Sequence, residues 1–405
     1  GFAGDDYPQA YFSSMAGKTS EAQGEGDGAE NTKHTYHVGA DLGKVPEGIE
    51  LERCVDHGLV QDWGMLEAIW EYAADSMLKV DLKEHPVLLA EKSINTPAAR
   101  QKYAEIMFEK FNTPAAFISK DAVLSCFALG RTSGLVLDLG SQLTISAPVF
   151  DGWLEKKGVL RSLLGTDLLE RYCLAMLEDR GHAVSPGMLG GRSDAAGWHP
   201  SYKQFVQCQV ARSILAQTGQ LASADEEGEV DLSSAALGNP TSIPYKLPDG
   251  TNITIGTERL QVPEVLFRPV LLASAKPGSA VKRELGGSLS RQGYTDASIS
   301  QMVYESVVLC DKEQQQSLLG NMVLCGGGSC LKGLLERARA DLAKVLGENA
   351  PAWQARVLDT DEKERKVCTW LGGSILGSLG AFQELWVSKK EYEEHGVALI
   401  EKKCP

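Results

Sequence analysis

Apolar residues in this chain fall into short continuous runs that alternate with stretches of helical spacing. Pro86-Val87-Leu88-Leu89-Ala90-Glu91 is such a run and predicts a buried strand. Thr96-Pro97 then offers an N-cap and a first-turn proline to a helix whose apolar face is Tyr103, Ile106, Met107 and Phe111. Thr113-Pro114 stops that helix, and Ala115-Ala116-Phe117-Ile118 reads as the next strand. A short helix over 122–129 ends at Gly130, ahead of a strand over 134–138. Strands alternating with helices in this way predict helix-covered sheets, the α/β class, and no internal repeat interrupts the pattern.

Glycine-rich turns follow two of the expected strands. Gly134-Leu135-Val136-Leu137-Asp138 leads through Leu139-Gly140-Ser141-Gln142-Leu143 into a second apolar run starting Thr144-Ile145-Ser146. A hairpin of this type can aim backbone N–H groups at a phosphate, while a carboxylate such as Asp138 holds a hydrated metal ion; an ordinary structural hairpin explains the pattern as well. Later, Met322-Val323-Leu324-Cys325 reads as a strand, Gly326-Gly327-Gly328-Ser329 as a loop, and Leu334, Leu335, Ala338, Leu342 and Val345 as the apolar stripe of a helix. Strand, glycine loop and helix N-terminus together attract phosphate. The loop is neither a Walker nor a Rossmann motif, because no Gly-Lys-Ser/Thr follows and GxGxxG is not matched. A third glycine turn, Leu371-Gly372-Gly373-Ser374, predicts the start of a helix with Ile375, Leu379, Phe382 and Trp386 on one face, its glycines serving core packing.

Three segments break the alternation. Residues 16–48 are rich in Gly, Glu, Asp and Lys with no recurring apolar position, which predicts a long mobile loop or a partner-ordered insertion. Residues 183–199 and 222–240 are similar, the second strongly acidic through Asp225, Glu226, Glu227, Glu229 and Asp231. The whole chain of 405 residues is 43% hydrophobic, enough for a large core divided among about two or three domains. Its net charge of -14 argues against direct binding to DNA or anionic membrane, so any chromatin or membrane role would act through partner proteins. Nine cysteines without a CxxC pair read as free thiols of a reducing compartment, and His34 and His37 lack companions at ligand spacing. No run approaches the length of about 18 apolar residues needed to cross a bilayer, and no signal peptide is evident, which predicts a soluble intracellular protein.

Several stretches, taken in order, resemble actin: Gly1-Phe2-Ala3-Gly4-Asp5-Asp6, Asn112-Thr113-Pro114-Ala115, Ala122-Val123-Leu124-Ser125, Gly130-Arg131-Thr132-Ser133-Gly134, Trp370-Leu371-Gly372-Gly373-Ser374-Ile375-Leu376, and Trp386-Val387-Ser388-Lys389-Lys390-Glu391-Tyr392. With the 321–345 block the resemblance spans the chain, leaving out only loops near 16–48, 178–200, 222–240 and 270–300. It implies the actin/hsp70/sugar-kinase fold, two α/β domains of two subdomains each around a nucleotide cleft. The implied parts are a first large subdomain (1–15, 54–128 and 368–405), a small one (16–53), a second large one (129–164 and 266–367) and an inserted fourth (165–265). The resemblance also implies that Asp138, Gly140, Ser141 and Thr144 form a phosphate turn. Gly326, Gly327 and Gly328 would lie along the adenosine and α-phosphate, Lys366 near the adenine, and Asp138 would hold Mg through water. Actin's partner phosphate hairpin precedes the sequence corresponding to Gly1, and truncation is the expected explanation.

Departures from actin carry the functional expectation. Asp121 stands where actin orients its attacking water with glutamine, Ser141 where it has an acid, and Ile145 where it has a histidine. A carboxylate accepts hydrogen bonds but does not donate them, and Ile145 does neither. Asp121 as a general base remains an alternative. Loss of positioning groups argues against catalysis of phosphoryl transfer, so no catalytic residue is expected. Val210 and Ala211 fall where actin carries a Lys-Glu pair at the nucleotide base. The acidic 16–48 loop and the divergence after Arg268 disfavour filaments. Together with Trp198-His199-Pro200-Ser201-Tyr202, these features look most like the fourth class of actin-related proteins, found in nuclear chromatin remodellers and histone acetyltransferases. That likeness implies a nuclear subunit pairing with monomeric actin and a helical scaffold segment, meeting nucleosomes and histones indirectly, with ATP or ADP structural or absent. A cytoskeletal or dynactin-like filament subunit and an active ATPase are the alternatives.

Overall fold

The computed structural model of the protein describes residues 1–22, 32–39, 49–182, 184, 197–222, 242–273, 275–285, 287 and 289–404. Among these, mixed sheets are flanked by helices, as expected for the α/β class. One sheet runs in the order Trp153–Leu154, Thr144–Phe150, Gly134–Leu139, Met322–Cys325, with Leu160–Ser162 also on Thr144–Phe150. Gly134–Leu139 and Thr144–Phe150 form the expected antiparallel hairpin, while Met322–Cys325 runs parallel to Gly134–Leu139 with Cys325 opposite Asp138. A second sheet pairs Val87–Glu91 parallel to Ala115–Lys120, which in turn pairs antiparallel to Val387–Ser388. A pocket of core side chains (Ala122, Val123, Cys126, Val136, Ile145, Val323 and Cys368 among them) joins the first sheet to the helix that follows the second.

The cap signals read from the sequence operate as expected. Thr96 accepts a hydrogen bond from the Ala99 amide with Pro97 in the first turn, and helix Pro97–Glu105 continues as a wider turn over Ile106–Lys110. Helix Asp121–Ala128 stops before Gly130, which adopts φ +64°. Inside the corner between Val87–Glu91 and Pro97–Glu105 lies a buried ion cluster. Arg100 Nε and Lys120 Nζ each lie 2.8 Å from Glu91 Oε1, and Arg100 also donates to the Cys404 carbonyl at 2.6 Å.

Two expectations need correction. The 16–48 segment is not wholly a loop: Met15–Ala22 pairs antiparallel with both Thr32–Val38 and Glu50–Arg53. Ladder pairing needs only backbone groups, so polar strands carried no apolar signature beyond Ala16 and Val38, both buried. Residues 23–31 and 40–48 lie outside the described residues, as do most of 183–199 and almost all of 222–240. The second correction concerns Leu371-Gly372-Gly373-Ser374, which does not begin a helix. It lies inside helix Glu362–Ser378, whose backbone kinks at Val367 (φ -117°, ψ 17°). A Cβ on Gly372 would stand 2.5 Å from the carbonyl carbon of Leu124 and nearer still to its oxygen. The glycine therefore marks a close crossing of two helices, the packing role that its composition suggested.

Candidate functional site

Both sheets aim the carboxyl ends of their parallel strands at one cleft, the usual place for a ligand in an α/β sheet. Lys92 follows Val87–Glu91, Asp121 follows Ala115–Lys120, Asp138 sits near the end of Gly134–Leu139, and Gly326 follows Met322–Cys325. Lys92 Nζ lies 2.6 Å from Asp138 Oδ2 and 3.1 Å from Asp121 Oδ2, bridging the two sheets. The other oxygen of Asp121 accepts from the Ser93 amide (2.9 Å), the Ser93 hydroxyl (2.5 Å) and the Ala122 amide (2.8 Å). Burial of the ammonium acts to lower the Lys92 pKa, but Asp138 and then Asp121 outweigh it and hold the group above the ordinary lysine value. Lys92 is thus a permanent cation in the cleft floor.

The hairpin turn is braced from behind. Gly140 N donates to the Leu143 carbonyl (2.9 Å), Thr166 N to the Gly140 carbonyl (3.1 Å) and Asp167 N to the Ser141 carbonyl (2.8 Å). In contrast, the amides of Ser141, Gln142, Gly327 and Gly328 donate to no acceptor among the described residues. Gly326 has φ +85°, and a Cβ there would collide with Asp138 Oδ1 and stand 2.5 Å from the Leu139 carbonyl oxygen, so only glycine lets the two turns meet. Above Gly327 the space is open.

The residues expected around a phosphate therefore converge only in part. Asp138, Gly140, Ser141, Gly326, Gly327 and Gly328 lie together at the strand ends. Thr144 is fully buried and its hydroxyl donates to the Leu164 carbonyl. The Ser141 hydroxyl donates to Asp167, which also pairs with Arg53. Lys366 is exposed, with Nζ 5.1 Å from the centroid of the Tyr11 ring, while the neighbouring Arg365 carbonyl accepts from Gly326 N at 3.0 Å. Ile145 pairs directly across from Asp138 and is buried beside it.

A family model described as actin matches residues 1–405. This chain belongs to the actin family. It is 34% identical over 440 residues to "Actin-related protein 4" of Oryza sativa subsp. indica, covering 100% of this chain and 95% of that protein. "Actin-related protein 4" of Arabidopsis thaliana is 35% identical over 364 residues, 87% of this chain and 79% of the relative. "Actin-like protein 7B" of Mus musculus is 32% identical over 406 residues, 100% of this chain and 84% of the relative. The chain is an actin-related protein with the actin fold.

Actin-family membership implies a nucleotide and a divalent ion, and the residues present fit these two unequally. The four unspent amides suit phosphate oxygens. A hydrated ion at Asp138 does not fit. Oδ2 of Asp138 already holds Lys92, and Oδ1 is packed against Gly326. A divalent ion about 5 Å from the ammonium would meet a repulsion of about 7 kcal/mol at an effective dielectric constant of about 20. Among the described residues no three His, Cys, Asp or Glu side chains gather as metal ligands.

Sequence reading passed over Lys92, although a charge placed immediately after an apolar parallel strand is a cleft signal. It also passed over the contacts that span the cleft mouth. Arg53 pairs with Asp167, Leu51 N donates to Ser201 Oγ at 2.8 Å, and Gln142 Nε2 donates to Asp56 Oδ1 at 3.1 Å. Val210 and Ala211 are buried in the core, while the adjacent Arg212 reaches Glu170 at 2.6 Å. Burial raises Glu170 to about 7 against the pull of Arg212, whereas half-exposed Arg212 is itself raised by the pair. The two shifts differ because the carboxylate bears most of the desolvation.

Proposed function

We propose that this actin-related protein is a non-catalytic subunit of nuclear chromatin-remodelling and histone-acetyltransferase complexes. It pairs with monomeric actin and docks on a helical scaffold segment of a remodeller ATPase or acetyltransferase subunit. It meets nucleosomes through those partners and holds ATP or ADP, where either is bound, as a structural element. The observation that carries the non-catalytic reading is the engagement of both Asp121 oxygens by neighbouring donors. Three donors hold Oδ1 and Lys92 lies 3.1 Å from Oδ2, so a water would have to compete with the ammonium for the one oxygen still open to it, unlike the unobstructed acceptor a general base or positioning group offers. Ile145, buried beside Asp138, supports the same reading. Similarity to proteins named actin-related protein 4 supports the actin-related class on which this reading builds.

The decisive experiment is ATP turnover by the purified, folded chain together with sedimentation in Mg-ATP and salt. The expected result is no phosphate release above background and no pellet. Steady turnover would establish an ATPase instead, and a pelletable polymer a filament subunit. Affinity purification from nuclear extract is expected to recover actin and a remodeller ATPase or acetyltransferase scaffold; recovery of neither refutes the assignment to those complexes.

A further inference from the structure

We propose that Lys92 is the resident cation of the cleft: its ammonium takes the position of a divalent ion between Asp121 and Asp138, and phosphate entering the cleft is met by this lysine and by backbone amides without a metal. The nucleotide identity of that phosphate rests on the reading of the cleft given above; the cation assignment does not.

Four observations carry the inference. First, Lys92 Nζ contacts both carboxylates at hydrogen-bond distance, one from each sheet, so it performs the bridging that a metal ion would otherwise perform. Second, the lysine is placed by rigid structure: it follows strand Val87–Glu91, whose last residue pairs with Lys120 immediately before Asp121. Third, the carboxylates are pinned. Ser93 and Ala122 hold Asp121, and the close approach of Gly326 holds Asp138, so neither can turn away to receive a second cation without breaking packing. Fourth, an ammonium has three N–H donors and the carboxylates take two, leaving one for an anion beside the free amides of Ser141, Gln142, Gly327 and Gly328.

The test uses the whole chain and Mn2+ alone, with bound ion read by electron paramagnetic resonance. Wild type is expected to show no saturable site that Asp138→Asn removes. Lys92→Met and Lys92→Ala free the carboxylate pair and are expected to bind Mn2+ about tenfold or more tightly than wild type, a gain that Asp138→Asn cancels. Lys92→Arg keeps the charge and is expected to behave as wild type. Circular dichroism and the urea midpoint establish that each variant is folded. Asp138-dependent Mn2+ binding by wild type overturns the proposal, and so does the absence of any gain in both folded Lys92 variants. If neither variant folds, the wild-type comparison with Asp138→Asn still decides. A separate arm measures ADP affinity with Mg2+ and with EDTA. Affinities agreeing within about twofold support the proposal, and a loss of about tenfold in EDTA overturns it. No ADP binding under either condition removes the nucleotide reading and leaves the cation assignment to the Mn2+ result.

Discussion

Replacing Gly372 by alanine should destabilise this protein, against the ordinary rule for helices. In an exposed helix interior, glycine to alanine stabilises by up to about 1 kcal/mol, because alanine restricts the unfolded chain. At Gly372 the new methyl would lie 2.5 Å from the Leu124 carbonyl carbon, whereas non-bonded carbons rest at roughly 3.5 Å. Helices Asp121–Ala128 and Glu362–Ser378 would have to part by at least roughly 1 Å at their crossing, since the Leu124 oxygen lies nearer still. Overpacking of this kind costs about 1–3 kcal/mol, which exceeds the propensity gain. Gly347 is the matched control: it lies in helix Leu334–Asn349, is exposed, and has nothing within 4 Å of its would-be Cβ. Urea unfolding followed by circular dichroism should give a lowered midpoint for Gly372→Ala and an unchanged or raised one for Gly347→Ala. Equal, stabilising effects at both positions would refute the argument that backbone contact sets the helix crossing.

Two further expectations concern buried charge. Glu170 has a folded pKa of about 7 against an ordinary value of 4.5, so its protonated form favours the folded state. Its contribution is present below about pH 4.5 and is lost as pH rises to about 7, by up to about 3 kcal/mol; Glu170→Gln should flatten that part of the stability–pH curve, and parallel curves would refute it. Arg100→Ala leaves Glu91 with the Lys120 ammonium and the Asn95 amide and frees the Cys404 carbonyl from the guanidinium. It should cost about 3 kcal/mol in urea unfolding and speed proteolysis near Leu399–Lys403, an effect absent if the cluster is inert.

Much of the site was legible because it rests on local chemistry. The Leu139–Thr144 turn, the glycines after Cys325 and the Thr96-Pro97 cap each declare themselves within a few residues. Long-range pairing was not legible in the same way. Nothing near Lys92 says that Asp121 and Asp138 will flank it, since those residues lie 29 and 46 positions away in sequence and meet only through sheet pairing. The Met15–Ala22 strand was hidden for another reason, as its hydrogen bonds use the backbone and its polar residues Lys18, Thr19, Ser20 and Glu21 follow one another without alternating with apolar ones. The packing role of Gly372 was legible, but not the helix boundary, because a glycine that allows close packing inside a helix and one that precedes a helix look identical in sequence.

The contacts from Arg53 to Asp167, Leu51 to Ser201 and Gln142 to Asp56 draw the small N-terminal sheet and its neighbouring turn onto the opposite lip. Parting these two lips therefore means breaking an ion pair and two hydrogen bonds that no single element supplies.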